Sequence, residues 1–115
     1  MVKSKITNKK LVELYHQILF PRLIEEKMLL LLRQGKISKW FSGIGQEAIS
    51  VGVSSAINKT DSIFPMHRNL GVFTTRDVDL KKLFCQLMGK KGGFTKSRDR
   101  SFHFGTLDYN IVGMI

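Results

Sequence analysis

Cysteine and long apolar runs are scarce in this 115-residue chain. Its one cysteine, Cys85, excludes a disulfide within the chain and fits a reducing compartment. Cys85 lies beside Phe84 on a helical face, so we interpret it as a small core residue rather than a nucleophile. The densest apolar run, residues 28–32, is far shorter than the roughly 20 residues that span a bilayer, and no apolar signal segment directly follows the charged N-terminus. We therefore expect one soluble domain in the cytoplasm.

Acidic residues are also few. The chain has 9 Asp and Glu and 19 Lys and Arg, so its formal net charge is +10. Residues 1–10 form a basic N-terminal arm that we interpret as solvated surface. The charge balance favours an anionic partner and leaves nucleic acid, a phosphate ligand and an acidic protein open. A second basic group comprises Lys81, Lys82, Lys90, Lys91, Lys96, Arg98 and Arg100.

Hydrophobic periodicity predicts helices in the first half of the chain. Residues 11–19 repeat apolar side chains three and four positions apart, which is typical of an amphipathic helix. Pro21 either kinks this helix or starts the next one, residues 22–34, which we expect to be mostly buried and to end before Gly35. Residues 45–57 form another helix, rich in small side chains that let a second backbone approach closely.

The second half of the chain combines helices with very short strands. One or two strands are too few to complete a sheet, so the pattern predicts a helix-rich chain with an incomplete sheet and hints at a fragment. The predicted elements are a strand at 62–64, a short helix after His67, a helix that starts at Asp77 or Asp79 and ends at Gly89, a loop at 90–110, and a buried strand that begins at Ile111.

A glycine motif precedes the second helix. Gly43-Ile-Gly45-Gln-Glu-Ala48 matches the fingerprint of dinucleotide-binding folds, which needs an acidic residue near the end of the following strand. Asp61 comes too early and precedes its strand. We therefore interpret Gly43 and Gly45 as the residues that let the chain turn into the helix.

His67 and Arg68 follow the strand at 62–64 and precede a helix. Arginine offers a planar fork of donors that suits phosphate oxygens, and helix N-termini favour anions. Open α/β sheets also bind ligands at the carboxyl ends of their strands. Local features leave two interpretations open, a phosphate site and an ordinary surface turn.

Segment 89–105 mixes basic residues, glycines and phenylalanines. Aromatic side chains among cations can stack on bases, so a small basic nucleic-acid-binding module is an alternative function. No Walker motif occurs, three dispersed histidines and one cysteine lack the spacing of a zinc site, and a lone histidine such as His103 is more often structural than catalytic. The phenylalanines are Phe94, Phe102 and Phe104.

Six short motifs follow one another along the chain: Arg33-Gln-Gly-Lys-Ile-Ser38, Gly45-Gln-Glu-Ala48, Asp61-x-Ile-Phe-Pro-x-His-Arg-Asn-Leu-Gly71, Gly89-Lys-Lys-Gly-Gly93, Ser101-Phe-His-Phe-Gly105 and Asn110-Ile-Val-Gly113. In this order they resemble the N-terminal part of the α subunit of the E1 component of thiamine-diphosphate-dependent 2-oxo acid dehydrogenases. Each motif is weak alone, but six in order make the match specific. The resemblance covers residues 11–115.

The resemblance implies a thiamine-diphosphate-binding α/β fold in which the cofactor lies between an α and a β region, on separate chains or fused. It places His67 and Arg68 on the cofactor diphosphate. It also implies cofactor contacts by Asn110 and Val112, through their backbone, and by Phe41, which stands where some members have a cofactor-contacting residue.

The implied reaction is the oxidative decarboxylation of a 2-oxo acid, pyruvate or a branched-chain acid, with transfer of the acyl group to lipoyl-E2. An E1 β region and an α2β2-type assembly are implied as well. The family's Gly-Asp-Gly…Asn motif for Mg²⁺ does not occur in this sequence, so we expect the Mg²⁺ ligands beyond Ile115 and assign no catalytic or metal-binding residue here. We expect the chain alone to be inactive, and a non-catalytic remnant that packs against other subunits is a further alternative.

Overall fold

The computed structural model describes residues 5–99 and 103–113. The first four residues of the predicted basic arm, together with Arg100 and Phe102, lie outside the described residues. The helices are α1 (Asn8–Arg33), α2 (Glu47–Ala56), α3 (Leu70–Thr75) and α4 (Leu80–Leu87), followed by a 3₁₀ turn (Leu107–Tyr109).

Helix α1 is one continuous helix of 26 residues. It begins after Thr7, whose hydroxyl accepts a hydrogen bond from the Lys10 amide at 3.2 Å. The prediction that Pro21 could start a new helix is therefore wrong. Pro21 lies within the helix and is fully buried, so tertiary packing offsets the backbone hydrogen bond that proline removes. Gly35 adopts φ +71° directly after the helix, as predicted for its end.

Only one stripe of α1 is buried. Leu23 is 52% exposed and Leu30 is 45% exposed, so the prediction of a mostly buried second half is wrong. The reason is that α2 and α3 cover the helix from one side among the described residues. The buried stripe comprises Pro21, Ile24, Glu25, Met28 and Leu31.

The buried apolar core is built from residues of α1, α3 and α4 and of the segments between and after them, and α2 packs on α1 and α3. Small side chains allow the close approach, as predicted for the second helix. Ser50 of α2 faces Gly71 of α3 so closely that a Cβ at position 71 would overlap the Ser50 hydroxyl. The buried apolar cluster comprises Ile24, Met28, Leu31, Ile37, Leu70, Val72, Phe73, Val78, Leu83, Leu87, Phe104 and Ile111.

The predicted strands pair with each other but extend no further than isolated bridges in the described residues. Ile63 forms a parallel bridge with Ile111. The Ile63 amide donates to the Asn110 carbonyl at 3.0 Å, and the Val112 amide donates to the Ile63 carbonyl at 2.9 Å. Thr106 forms a second, antiparallel bridge with Ile111. The described part of the chain is therefore helix-rich, and the predicted α/β sheet stays a prediction.

Helix α4 is capped by Asp79, whose carboxylate accepts from the Lys82 amide at 2.7 Å, which decides between the two predicted caps. Gln86 of α4 holds the loop that follows the helix through a hydrogen bond and a backbone contact. The buried Gln86 side chain accepts from the Thr95 amide at 3.0 Å, and Gly93 packs on the Gln86 backbone, where a Cβ would lie 2.7 Å from its Cα.

None of the described helices has the length and apolar composition that crossing a bilayer requires.

Candidate functional site

Three of the predicted cofactor-binding residues meet between the α1–α2 connection and the turn before α3. The His67 ring lies 4.8 Å from the Phe41 ring, centroid to centroid, in an edge-to-face arrangement. The Arg68 guanidinium lies 5.5 Å from the centre of the Phe41 ring and donates from Nη1 to the Ser42 carbonyl at 3.0 Å. Residues separated by 26 positions in sequence therefore form one cluster, which we call the Phe41–Arg68 group.

The Phe41–Arg68 group is cationic. Lys39 adds a second positive charge, with its ammonium 5.6 Å from the centre of the Phe41 ring. The turn that carries Arg68 is closed by Asn69, whose side chain accepts from the Met66 amide at 2.8 Å. The predicted short helix is confirmed, but α3 has only six residues and its dipole contributes little. The positive potential here therefore comes from side chains rather than from the α3 dipole.

His103 joins this group from the far end of the chain. Its ring stacks on the His67 ring at 5.9 Å with an interplanar angle of 3°, and it lies 6.4 Å from the Phe41 ring. Sequence reasoning treated His103 as a structural residue and missed this contact. The signal that pointed to it was its place in the fifth of the six motifs.

A cleft of about 470 Å³ opens beside the group. Phe41 and His103 line one side, and Met88, Gly89 and Asp99 line it from α4 and the following loop. The predicted loop and the aromatic group thus share one cleft.

Asn110 and Val112 lie elsewhere. Their backbones pair with Ile63, and the Asn110 side chain donates to the Lys59 carbonyl at 3.0 Å. Asn110 adopts φ +55°, a left-handed conformation that asparagine tolerates better than most residues. Their described contacts therefore join these two predicted residues to the 59–63 segment rather than to Arg68.

A buried carboxyl group lies beneath the connection that carries Phe41. Glu25 is 1% exposed, and its Oε1 accepts from the Gly43 amide at 2.9 Å. Burial raises the pKa of Glu25, and the nearby charge of Glu47 raises it further, while Gly43, Trp40 and Ser42 lower it. Within the described part of the chain, Glu25 Oε2 and Trp40 Nε1 are buried without a hydrogen-bond partner.

A second carboxyl group, Glu47, anchors the start of α2. Its Oε1 accepts from Arg22 Nε at 2.5 Å, and its Oε2 accepts from the Gly45 amide at 2.8 Å. The hydrogen bond and charge of Arg22 lower the pKa of Glu47. Gly45 adopts φ +93°, and a Cβ at Gly43 would overlap the Arg68 carbonyl. These features confirm that the two glycines serve the turn into the helix.

Comparison with known proteins identifies the family. The profile of the family described as "Dehydrogenase E1 component" matches residues 15–114. The chain belongs to this family. The N-terminal E1 α resemblance inferred from the six motifs is thereby confirmed.

Three relatives illustrate the match. The chain is 28% identical over 101 residues to 2-oxoisovalerate dehydrogenase subunit alpha 1, mitochondrial, of Arabidopsis thaliana, covering 88% of this chain and 21% of the relative. It is 31% identical over 94 residues to 2-oxoisovalerate dehydrogenase subunit alpha of Pseudomonas aeruginosa, covering 82% and 23%. It is 38% identical over 69 residues to pyruvate dehydrogenase E1 component subunit alpha-1, mitochondrial, of Oryza sativa, covering 60% and 18%. The chain thus spans less than a quarter of the length of each of these relatives.

The aromatic residues of this E1-family chain do not favour the nucleic-acid alternative. Phe104 is 3% exposed and stacks on the half-buried Phe94 at 5.1 Å, while Phe73 packs on it at 5.0 Å. Rings enclosed in the core cannot stack on bases. The ring of Phe104 therefore lends this alternative no support; the basic side chains of the loop remain, and Phe102 lies outside the described residues.

The described residues of this family member contain no group of three or more His, Cys, Asp or Glu side chains placed to hold a metal ion.

Proposed function

We propose that the chain is the cofactor-facing N-terminal part of an E1 α component that takes part in oxidative decarboxylation of a 2-oxo acid, pyruvate or a branched-chain acid. In this proposal Arg68 and His67 bind the diphosphate of thiamine diphosphate, and Phe41 contacts the cofactor. The observation that carries it is the single cluster of an exposed arginine, a histidine and a phenylalanine, formed by segments far apart in sequence. Family membership supports the reaction class.

The chemistry of the donors fits a diphosphate. Arginine carries five N–H donors, and the Ser42 carbonyl takes one Nη1 hydrogen bond of the exposed Arg68 side chain. The guanidinium carbon lies 5.5 Å from the centre of the Phe41 ring, so this cation–π contact and the Ser42 hydrogen bond orient a fork of charged donors. The neighbouring Lys39 adds to the positive potential.

The residues of this chain would bind and orient rather than react. Arg68 holds phosphate oxygens with charge-assisted hydrogen bonds, and His67 offers a ring N–H beside it. Phe41 contacts both of these side chains. Thiamine diphosphate, when bound, supplies the nucleophilic carbon and the electron sink of the decarboxylation.

The proposal also covers two further cofactor contacts and the partners of the chain. Asn110 and Val112 would contact the cofactor through their backbone, within a thiamine-diphosphate-binding α/β fold. Mg²⁺, an E1 β region, a lipoyl-bearing E2 acyltransferase and an α2β2-type assembly rest on family membership, because the chain spans only a fraction of its relatives' length. A cytoplasmic location stays a prediction, since two of the three relatives are named as mitochondrial.

Calorimetric titration with inorganic pyrophosphate and with thiamine diphosphate tests the proposal. We expect Arg68→Gln to weaken pyrophosphate binding at least tenfold, because a charge-assisted hydrogen bond contributes roughly 1.5–3 kcal/mol. Lys81→Gln is the matched control, since it removes one exposed positive charge from α4, and we expect it to change the affinity less than twofold. Equal weakening by both substitutions would show that pyrophosphate binds by overall charge alone.

The proposal also predicts that the chain has no activity on its own. A decarboxylation assay with thiamine diphosphate, Mg²⁺ and pyruvate or branched-chain 2-oxo acids should show no turnover. Turnover by the chain alone would contradict the assignment of binding, rather than catalytic, roles to these residues.

A further inference from the structure

Glu25 is an ionisable side chain on the buried stripe of α1. Its carboxyl is 1% exposed and lies next to the buried positions Ile24 and Met28. A buried carboxylate is costly to desolvate, and an apolar residue of similar volume would often stabilise a fold as well or better. The raised pKa of Glu25 reflects that cost. An apolar residue at this position would, however, leave the buried Gly43 amide without its acceptor, so the carboxyl group acts through that hydrogen bond.

The contacts of Glu25 lead directly to the Phe41–Arg68 group. Its Oε1 accepts from the Gly43 amide at 2.9 Å. Gly43 packs on the backbone carbonyl of Arg68, which lies where a Cβ at position 43 would be. The preceding carbonyl, that of Ser42, accepts from Arg68 Nη1 at 3.0 Å. The Ser42–Gly43 peptide is thus held by Glu25 on one side and touches Arg68 at its backbone and its side chain on the other.

We propose that Glu25 is a positioning residue for anion binding by Arg68, acting through the Ser42–Gly43 peptide. This inference rests on the proposed function. Glu25 does not touch the anion itself. It fixes the carbonyl that orients the guanidinium, and so reduces the number of side-chain conformations that Arg68 loses when it binds.

The orientation of the peptide is the property that a carboxyl oxygen at this site controls. The Gly43 amide points into the protein toward Glu25, and the Ser42 carbonyl of the same peptide accepts from Arg68. Because a peptide unit is planar, fixing its amide fixes its carbonyl on the opposite side. Without the Glu25 oxygen, the buried Gly43 amide has no hydrogen-bond partner and the peptide is free to rotate. Rotation would turn the Ser42 carbonyl away from Arg68.

Three substitutions separate hydrogen bonding from charge and from packing. Glu25→Gln keeps an acceptor oxygen and removes the charge. Glu25→Leu removes the acceptor at similar volume, and Glu25→Asp shortens the side chain by one methylene so that the same contact is tested if the leucine variant does not fold. Met28→Ala is the matched control, because it destabilises the same buried stripe one turn away.

Two measurements are made at a temperature where circular dichroism shows each variant to be folded. Titration with inorganic pyrophosphate gives the affinity. The ring-current shift of the Arg68 side-chain protons under Phe41, measured by NMR without any ligand, gives the orientation of the guanidinium. A merely structural role would change the melting temperature and leave both readouts as in the wild type.

We expect Glu25→Leu and Glu25→Asp to weaken pyrophosphate binding about tenfold and to lose the ring-current shift. We expect Glu25→Gln and Met28→Ala to stay within threefold of the wild-type affinity and to keep the shift. The inference is overturned if Glu25→Leu and Glu25→Asp behave like Met28→Ala, or if Met28→Ala also loses the shift. If the wild-type chain does not bind pyrophosphate, the proposed function fails, and the ring-current shift alone decides whether Glu25 orients Arg68.

Discussion

The backbone carbonyl of Arg68 occupies the space that any side chain at position 43 would need. Gly43 therefore brings the connection before α2 into direct contact with the turn before α3. Phe41 stands two residues before Gly43, so this contact places the segment that carries Phe41 beside Arg68.

The first prediction concerns this contact. We expect Gly43→Ala to destabilise the chain by about 1–3 kcal/mol, because the new methyl group overlaps backbone atoms that cannot move aside cheaply. Urea unfolding followed by circular dichroism measures the change. Gly52→Ala is the control, because position 52 lies inside α2 with nothing within 4 Å of its Cβ, and we expect it to stabilise the chain by roughly 0.5–1 kcal/mol. A destabilisation of the same size at both positions would argue against the Gly43 contact.

Glu25 should make stability fall as the pH rises. Burial raises its pKa above the ordinary value of 4.5, so its contribution to stability is complete below pH 4.5 and is lost as the pH rises through the folded-state pKa. Glu25→Gln removes this titration while keeping an acceptor for Gly43. We expect its melting temperature, relative to the wild type, to increase from pH 4.5 to pH 7.5, as measured by thermal unfolding. A constant difference across this range would contradict the buried, hard-to-ionise state of Glu25.

Glu47 should have the opposite pH dependence. Arg22 lowers the pKa of Glu47 below 4.5, so its contribution is complete above pH 4.5 and is lost as the pH falls through the folded-state pKa. We expect Glu47→Gln to melt below the wild type at pH 7 and to approach it as the solution is acidified. Glu26→Gln removes a carboxylate from an exposed position on α1 and should change the melting temperature little at either pH. A Glu47→Gln difference that persists under acid conditions would show that packing, not charge, sets the effect.

Arg76 should be a structural arginine. It is 4% exposed, and it donates to the Lys59 carbonyl, to the Asp61 carbonyl at 3.0 Å and to the Tyr109 carbonyl at 3.4 Å. We expect Arg76→Met to destabilise the chain by about 2–4 kcal/mol, because it removes the buried guanidinium's hydrogen bonds to these three carbonyls, of which, among the described residues, only that of Lys59 keeps a second donor, Asn110. Chemical denaturation measures the loss.

The control for Arg76 is Lys59→Ala. It keeps the Lys59 carbonyl and removes only the exposed ion pair with Asp77, whose side chains are 70% and 75% exposed. We expect that change to stay within about 1 kcal/mol. A loss at Arg76→Met no larger than that of Lys59→Ala would show that the three carbonyls do not depend on the guanidinium.

Local sequence signals predicted which segments are helical better than they predicted where each helix begins and ends. The apolar repeat found the helical segments of α1, and the Asp79 cap and Gly89 marked the ends of α4, because caps and periodicity depend on neighbouring residues. Of the two alternatives predicted at Pro21, the start of a separate helix is wrong. A local rule could not weigh the packing that keeps Pro21 inside a continuous helix.

The candidate site was predicted only in part. Phe41, His67 and Arg68 came from the family resemblance, and the structure brings them together. His103 was set aside because one histidine carries no spacing signal, yet its ring stacks on His67. Glu25 was not predicted as part of the site, since nothing in its sequence neighbourhood shows that α1 turns it toward Gly43.

The sequence by itself determined the family, the helix-rich character and the scarcity of residues for disulfides or membrane spans. Those properties depend on composition, on order and on contacts a few residues apart. Only the tertiary structure decided that Arg68 lies against Phe41, and that Glu25 holds the peptide between them and the core. Such contacts join residues 18 to 27 positions apart through the packing of α1 against α2 and α3, and no local pattern in the chain records that packing.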